Sequence, residues 1–273
     1  MALSLQTVSP RQGAQWVRLG FRVFMRRPMG FAALLLAFFF ASLMLSVLLP
    51  VVGSIVSLMA LPLLTLGFMV ATESALQGGP VHPGQLVEPL LRSSRERRLT
   101  LLKLCMLYGA LTLTLLTLTE LLIGDAWEPL RSAMEQGQPT PEQAEAVTSN
   151  PRFMWGLLVQ ASLLALMSVP FWHAPALVLW GEQGVGQALF SSTVACWRSK
   201  GAFTVYGLVW LGLMLLIGSL AGVVFGLLGF GQFAAVAALP LALMGMTVFY
   251  VTLYFTFVDS FGRKPDSPPA TPA

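Results

Sequence analysis

Apolar residues run along this chain in long unbroken stretches separated by short polar ones. A helix that crosses a bilayer needs about 20 mostly apolar residues. Six stretches meet that length, at about 29–49, 54–75, 99–123, 153–179, 202–227 and 232–257. They are continuously apolar rather than alternating with period two, so barrel strands are a poor alternative. The pattern predicts an all-α fold, a polytopic membrane bundle of six transmembrane helices. Pro50-Val51-Val52-Gly53 joins the first two spans; proline ends one helix and glycine permits a tight reversal. Gly229-Phe230-Gly231 joins the last two. The segment at about 124–151 is the only sizeable loop in the interior, and its Thr140-Pro141-Glu142-Gln143 has the form of a capping box.

Composition sharpens the class. Of 273 residues, 56% are hydrophobic and 10% charged, and mean hydropathy is +0.75. An ordinary soluble domain carries about 25% charged residues, so soluble, disordered and disulfide-framework chains are excluded. Cys105 and Cys196 are far apart, and His82 and His173 are the only histidines, so no metal spacing exists. No cofactor is expected. The net charge of +4 lies on no soluble module, which argues against nucleic acid.

The positions of the charges set an orientation. Arg11, Arg18, Arg22, Arg26 and Arg27 precede the first span, and Arg92, Arg95, Arg97, Arg98 and Lys103 cluster before the third. Arg198 and Lys200 precede the fifth, and Arg263 and Lys264 follow the sixth. Only Arg131 and Arg152 lie in or beside the long loop, which carries Asp125, Glu128, Glu135, Glu142 and Glu145. By the positive-inside rule both termini are cytoplasmic, and an even number of spans agrees. Residues 1–28 then form a cytoplasmic amphipathic helix rather than a cleaved signal, because the basic region is long and the apolar run full-length. Residues 29–260 form the membrane domain. Residues 261–273, with four prolines, form a disordered cytoplasmic tail.

On a helical wheel Arg11, Gln15, Arg18, Arg22 and Arg26 fall within roughly 80°, opposite Trp16, Leu19, Val23 and Phe24. Such a helix should lie flat at the interface, with Trp16 in the boundary and Arg18, Arg22 and Arg26 toward anionic headgroups. A second basic block, 85–98, precedes the third span. A third, 184–200, places Trp197 and Arg198 before the fifth. Each block leads into a helical hairpin, so the chain reads as three helical-hairpin repeats, a pattern that positive-inside pressure also produces.

Three segments carry a resemblance: Gly13-Ala14-Gln15-Trp16-Val17-Arg18-Leu19-Gly20-Phe21, Phe171-Trp172-His173-Ala174-Pro175-Ala176-Leu177-Val178, and Gly186-Gln187-Ala188-Leu189. In these the chain resembles a family of uncharacterised bacterial inner-membrane proteins. It is more distantly similar to the membrane domain that accompanies some glycerophosphodiester phosphodiesterases. Catalysis in those distant relatives belongs to a separate soluble domain, so the resemblance implies a fold and a location and no active site.

Ionisable groups at bilayer depth are the first functional candidates, because their burial is costly. Glu73 and Glu120 lie near span ends, where a carboxylate reaches the interface. Asp259, at the exit of the sixth span, reads as solvated. His173 lies between Pro170 and Pro175, which kink the helix and free carbonyls. It either satisfies such a carbonyl or lines a cavity facing Glu73. Thr112, Thr114, Thr117 and Thr119 can satisfy themselves on their own helix, so packing explains them. Gly218, Gly222 and Gly226 form a small-residue ridge for close helix packing, against another span or against a second copy in a homo-oligomer. Six spans offer many internal neighbours, so the contact is expected within the chain. No zinc-peptidase, phosphate-loop or nucleophile-elbow motif occurs, and Gly184-Val185-Gly186 lacks the context of a dinucleotide site. The expectation is a non-catalytic membrane protein whose partners are lipids. The alternative is a small transporter or channel component with a cavity near His173 and Glu73.

Overall fold

The computed structural model describes residues 3–135, 149–229 and 234–262. Its helices are α1 (Gln12–Phe24), α2 (Pro28–Leu48), α3 (Pro50–Met59), α4 (Leu61–Leu76), α5 (Glu88–Leu91), α6 (Arg95–Glu135), α7 (Pro151–Phe171), α8 (Ala174–Gly181), α9 (Val185–Arg198), α10 (Lys200–Leu227) and α11 (Ala234–Phe261). A 3-10 turn, Pro83–Leu86, precedes α5. Among the described residues five helices are long and apolar enough to cross a membrane, or six if α3 and α4, bent by 45°, count as one span.

Proline sets many of the starts. It occupies the first or second helical position of α2, α3, α4, α7 and α8, where its missing N–H is no loss. Pro50 therefore opens α3 rather than ending α2. The reversal falls on Leu49 (φ −137°, ψ 78°). Gly53 lies inside α3, where a Cβ would sit 2.1 Å from the Leu45 carbonyl oxygen, so its role is close approach rather than turning. The helix α6 continues past the expected end of the third span to Glu135, and its 41 residues reach about 60 Å, twice the hydrocarbon thickness. The Thr140–Gln143 capping box and most of the 261–273 tail lie outside the described residues.

The core sits toward one end. Trp16, Phe31, Leu34, Leu64, Phe68 and Val251 are buried in one cluster, and Met69, Leu104, Leu177, Ala188, Tyr254 and Phe257 in another. The C-terminal half of α11 joins them, touching α1, α4 and α10. Farther along, Leu43, Val47, Leu215, Val223 and Leu227 are exposed. Apolar side chains in these positions suit lipid rather than water.

The same end gathers the basic blocks. The segment before α1 pairs with the end of α11: the Ser4 and Gln6 N–H groups donate to the Phe261 and Ser260 carbonyls at 3.2 and 2.8 Å. Arg27 donates to the Gly78 carbonyl at 3.1 Å. The helix α1 is not laid on lipid as expected. It crosses α10 and α11 so closely that a Cβ on Gly13 would stand 2.2 Å from the Ala202 carbonyl oxygen, and one on Gly20 2.3 Å from Thr252 Cγ2. Trp16 is fully buried against Phe203 and Tyr206, ring centroids 5.3 and 5.9 Å away, so it is a core residue and not a boundary anchor. Arg11, Arg18, Arg22 and Arg26 are exposed on the opposite face. The second block is no single helix: it begins in the 3-10 turn, passes through the four-residue α5 and ends in the first turn of α6. In the third, Trp197 is exposed at 72%, with the Lys200 ammonium 5.3 Å from its ring centre.

Candidate functional site

Among the described residues two spans are broken, and both breaks border one cavity. One break is the bend at Ala60 between α3 and α4. The other separates α7 from α8 at Trp172 and His173, where Pro170 and Pro175 interrupt the hydrogen-bond ladder. In an unbroken helix the His173 N–H would donate to the Val169 carbonyl. Here the Ser192 hydroxyl, from α9, stands between them. The His173 N–H donates to Ser192 Oγ at 3.0 Å, and Ser192 Oγ donates to the Val169 carbonyl at 3.0 Å. A serine rather than the histidine thus satisfies the freed carbonyl.

His173 itself is fully buried, packed against Phe203, Phe257 and Phe261. Its Nε2 lies 3.2 Å from Thr256 Oγ1. That hydroxyl gives its one proton to the Leu253 carbonyl at 2.8 Å and accepts from Trp172 Nε1 at 3.2 Å. His173 Nε2–H therefore donates, and Nδ1 is the bare acceptor, with no hydrogen-bond partner among the described residues.

A cavity of about 290 Å³ lies where the two breaks meet, lined by Pro62, Thr65, Tyr108, Ser168, Trp172 and Tyr250 among others. Neither His173 nor Glu73 lines it, which corrects the expected position. His173 is sealed in its aromatic shell, and its neighbour Trp172 forms the wall. Among the described residues no three His, Cys, Asp or Glu side chains gather as metal ligands would.

Asp259 is not simply solvated. Its Oδ2 accepts from Trp16 Nε1 at 2.8 Å and from Gln12 Nε2 at 2.9 Å, which ties α1 to the end of α11. Thr112, Thr114 and Thr119 donate to carbonyls of their own helix. Nothing described lies within 4 Å of a Cβ built on Gly218, Gly222 or Gly226, so the internal packing expected for this ridge is absent among the described residues.

At the basic end a polar cleft of about 360 Å³ separates the start of α6 from the end of α8. Ser94, Glu96, Arg97, Thr100, Glu182 and Gln183 line it, and Arg97 is ion-paired with Glu182. Glu182 caps α8 in the left-handed region (φ 53°, ψ 27°), which is unusual for a residue other than glycine. That backbone costs of order 1–3 kcal/mol. An exposed ion pair returns about 0–1 kcal/mol, so the pair does not offset it. The sequence reading missed Ser192, Thr256 and this cleft. The four-residue spacing of Thr252, Thr256 and Ser260 along one span was the available signal for a buried polar seam.

Apolar helices of membrane-spanning length around a one-ended core define a polytopic helical membrane protein. The chain is 32% identical to a Burkholderia thailandensis protein named "Probable inner membrane protein", over 278 aligned residues that cover 99% of this chain and 98% of the relative. It belongs to that family of inner-membrane proteins. No protein-family signature matches the chain, and no solved structure does. The likeness to the membrane domain of glycerophosphodiester phosphodiesterases finds no support in this comparison.

Proposed function

We propose that the protein is non-catalytic and works through contacts with lipid and with other proteins, crossing the membrane six times with both termini cytoplasmic. The observation that carries this reading is the state of α1. Its arginines are exposed on one face while its apolar face is fixed in the core. The basic blocks share one end of the bundle, as cytoplasmic anchoring requires. Each also precedes a hairpin, which supports a three-unit organisation. The test is retention of phosphatidylglycerol by the purified full chain, followed by native mass spectrometry at rising salt. Each arginine near an anionic surface contributes about 1 kcal/mol. Changing Arg18, Arg22 and Arg26 together to glutamine should weaken retention on the order of 100-fold at low salt. Equal retention by the variant and the parent overturns the reading. A reporter fused after residue 273 tests the orientation separately.

A second reading, a small transporter or channel component, is favoured by one observation. The 290 Å³ cavity sits where the two broken spans meet, and interrupted helices line substrate sites in transporters. Cysteines placed at Thr65 and Ser168 should react with a membrane-impermeant thiol reagent if water reaches that cavity. Protection of both would retire this reading.

A further inference from the structure

The cleft between α6 and α8 differs in charge from the rest of the basic end. Arg95 and Arg98 point outward and are exposed, whereas the cleft holds Arg97 together with two carboxylates, Glu96 and Glu182. We propose that it is a binding site for the headgroup of an amine-bearing phospholipid, phosphatidylethanolamine, drawn from the leaflet at this end. The inference rests on the reading of the protein as one that works through lipid contacts, and deepens it.

Depth is the first argument. Arg97 lies in the first turn of a span that begins at Arg95, and Glu182 directly follows a span that ends at Gly181. The cleft therefore opens at headgroup level. Charge is the second. A purely anionic headgroup would meet two carboxylates and one arginine already engaged by Glu182. A zwitterion meets its complement. Arg97 has five N–H donors and spends few of them on Glu182, so others remain for a phosphate oxygen. The Ser94 hydroxyl accepts from the Arg97 backbone N–H at 3.4 Å and keeps its own proton to donate. On the other side stand Glu96, Glu182 and the Gln183 side-chain carbonyl, whose Oε1 is buried with no hydrogen-bond partner among the described residues. A primary ammonium has three N–H donors to offer these acceptors, and a quaternary choline has none. A volume of about 360 Å³ lies within the range of small-ligand clefts, about 300–1,000 Å³. The Glu182 side chain, held by its ion pair with Arg97, is exposed to 74% and so reaches the mouth of the cleft.

The test is native mass spectrometry of the full chain in a neutral detergent, titrated with phosphatidylethanolamine, phosphatidylcholine and phosphatidylglycerol. The ethanolamine lipid should bind at least about tenfold more tightly than the choline lipid, the effect of one charge-assisted hydrogen bond. Glu182→Gln should abolish that preference. The swapped pair Arg97→Glu with Glu182→Arg keeps an ion pair and inverts it; with thermal stability retained, it should abolish the preference too. Equal binding of the two lipids by the parent, or a preference that survives Glu182→Gln, overturns the proposal. Displacement by soluble phosphoethanolamine at equal concentration also overturns it, because the ligand is then a free solute. Salt-sensitive phosphatidylglycerol retention without an ethanolamine preference refutes this site alone, whereas loss of both refutes the broader reading as well.

Discussion

The serine that repairs the broken span gives the sharpest test of the fold. Ser192 is fully buried and bridges the His173 N–H and the Val169 carbonyl. Ser192→Ala removes the bridge and adds no bulk. The Val169 carbonyl keeps the Trp172 N–H at 3.4 Å and the Cys196 thiol at 3.9 Å. The His173 N–H keeps nothing that the structure places within reach. One buried donor left unsatisfied costs about 1–3 kcal/mol. At about 2–4 °C per kcal/mol for chains of roughly this size, the midpoint of thermal unfolding in detergent should fall by about 2–12 °C. If opening is local, amide exchange at His173 should accelerate about 5- to 150-fold. Ser191→Ala, one position earlier and only half-buried, is the control and should stay within about 0.5 kcal/mol of the parent. If the two alanine variants match in both midpoint and exchange, the hydroxyl does not hold the break together and the argument from the freed carbonyl is wrong.

Other outcomes follow from the same packing. Trp16→Phe keeps the ring in the core but removes the bond to Asp259, so stability should drop by about 1.5–3 kcal/mol. An unchanged unfolding midpoint would instead suit a residue that only touches lipid. Gly13→Leu drives a side chain into the Ala202 backbone and should give little folded protein, whereas Gly222→Leu meets nothing described and should elute as intact monomer in size-exclusion chromatography; poor folding of the second variant would overturn that assignment. Burial raises the Cys196 thiol from 9.0 to about 12. The unfolded thiol loses its proton first, so this group contributes nothing to the pH dependence below about pH 9 and destabilises the fold as pH rises from there toward 12. Native protein should therefore label slowly with maleimide near neutral pH and quickly once unfolded, and fast labelling of the native state would contradict the burial.

The spans were legible because their signal is local: 20 or so consecutive apolar residues with proline at the starts. The role of α1 was not, because an apolar helix face looks the same whether lipid or protein covers it. Gly13 and Gly20, seven residues apart on that face, were the sign that another helix comes close. Asp259 looked solvated because its partners, Gln12 and Trp16, are more than 240 positions away in the chain. Ser192 stood beside Ser191, which is only half-buried, and hydropathy cannot tell a serine that faces water from one that mends a helix. His173 stood out by its two prolines, but its partner Thr256 comes from another span. In each case what escaped the sequence was the contact between distant elements, and what it disclosed was the chemistry of one element alone.

The burial of Trp16 changes what the arginine face of α1 is able to do. A peripheral amphipathic helix that binds a membrane must fold and dock as it binds, and that ordering weakens the attraction. Here the helix is already held by Gly13 and Gly20 against α10 and α11 and by the bond from Trp16 to Asp259. Arg11, Arg18, Arg22 and Arg26 are thus exposed on and beside a helix that is fixed in place. Their pull on anionic lipid needs no folding step, and it acts on a helix packed against the last two spans. On the reading proposed above, lipid held at that face would bear on the same junction of α1, α10 and α11 that forms the core.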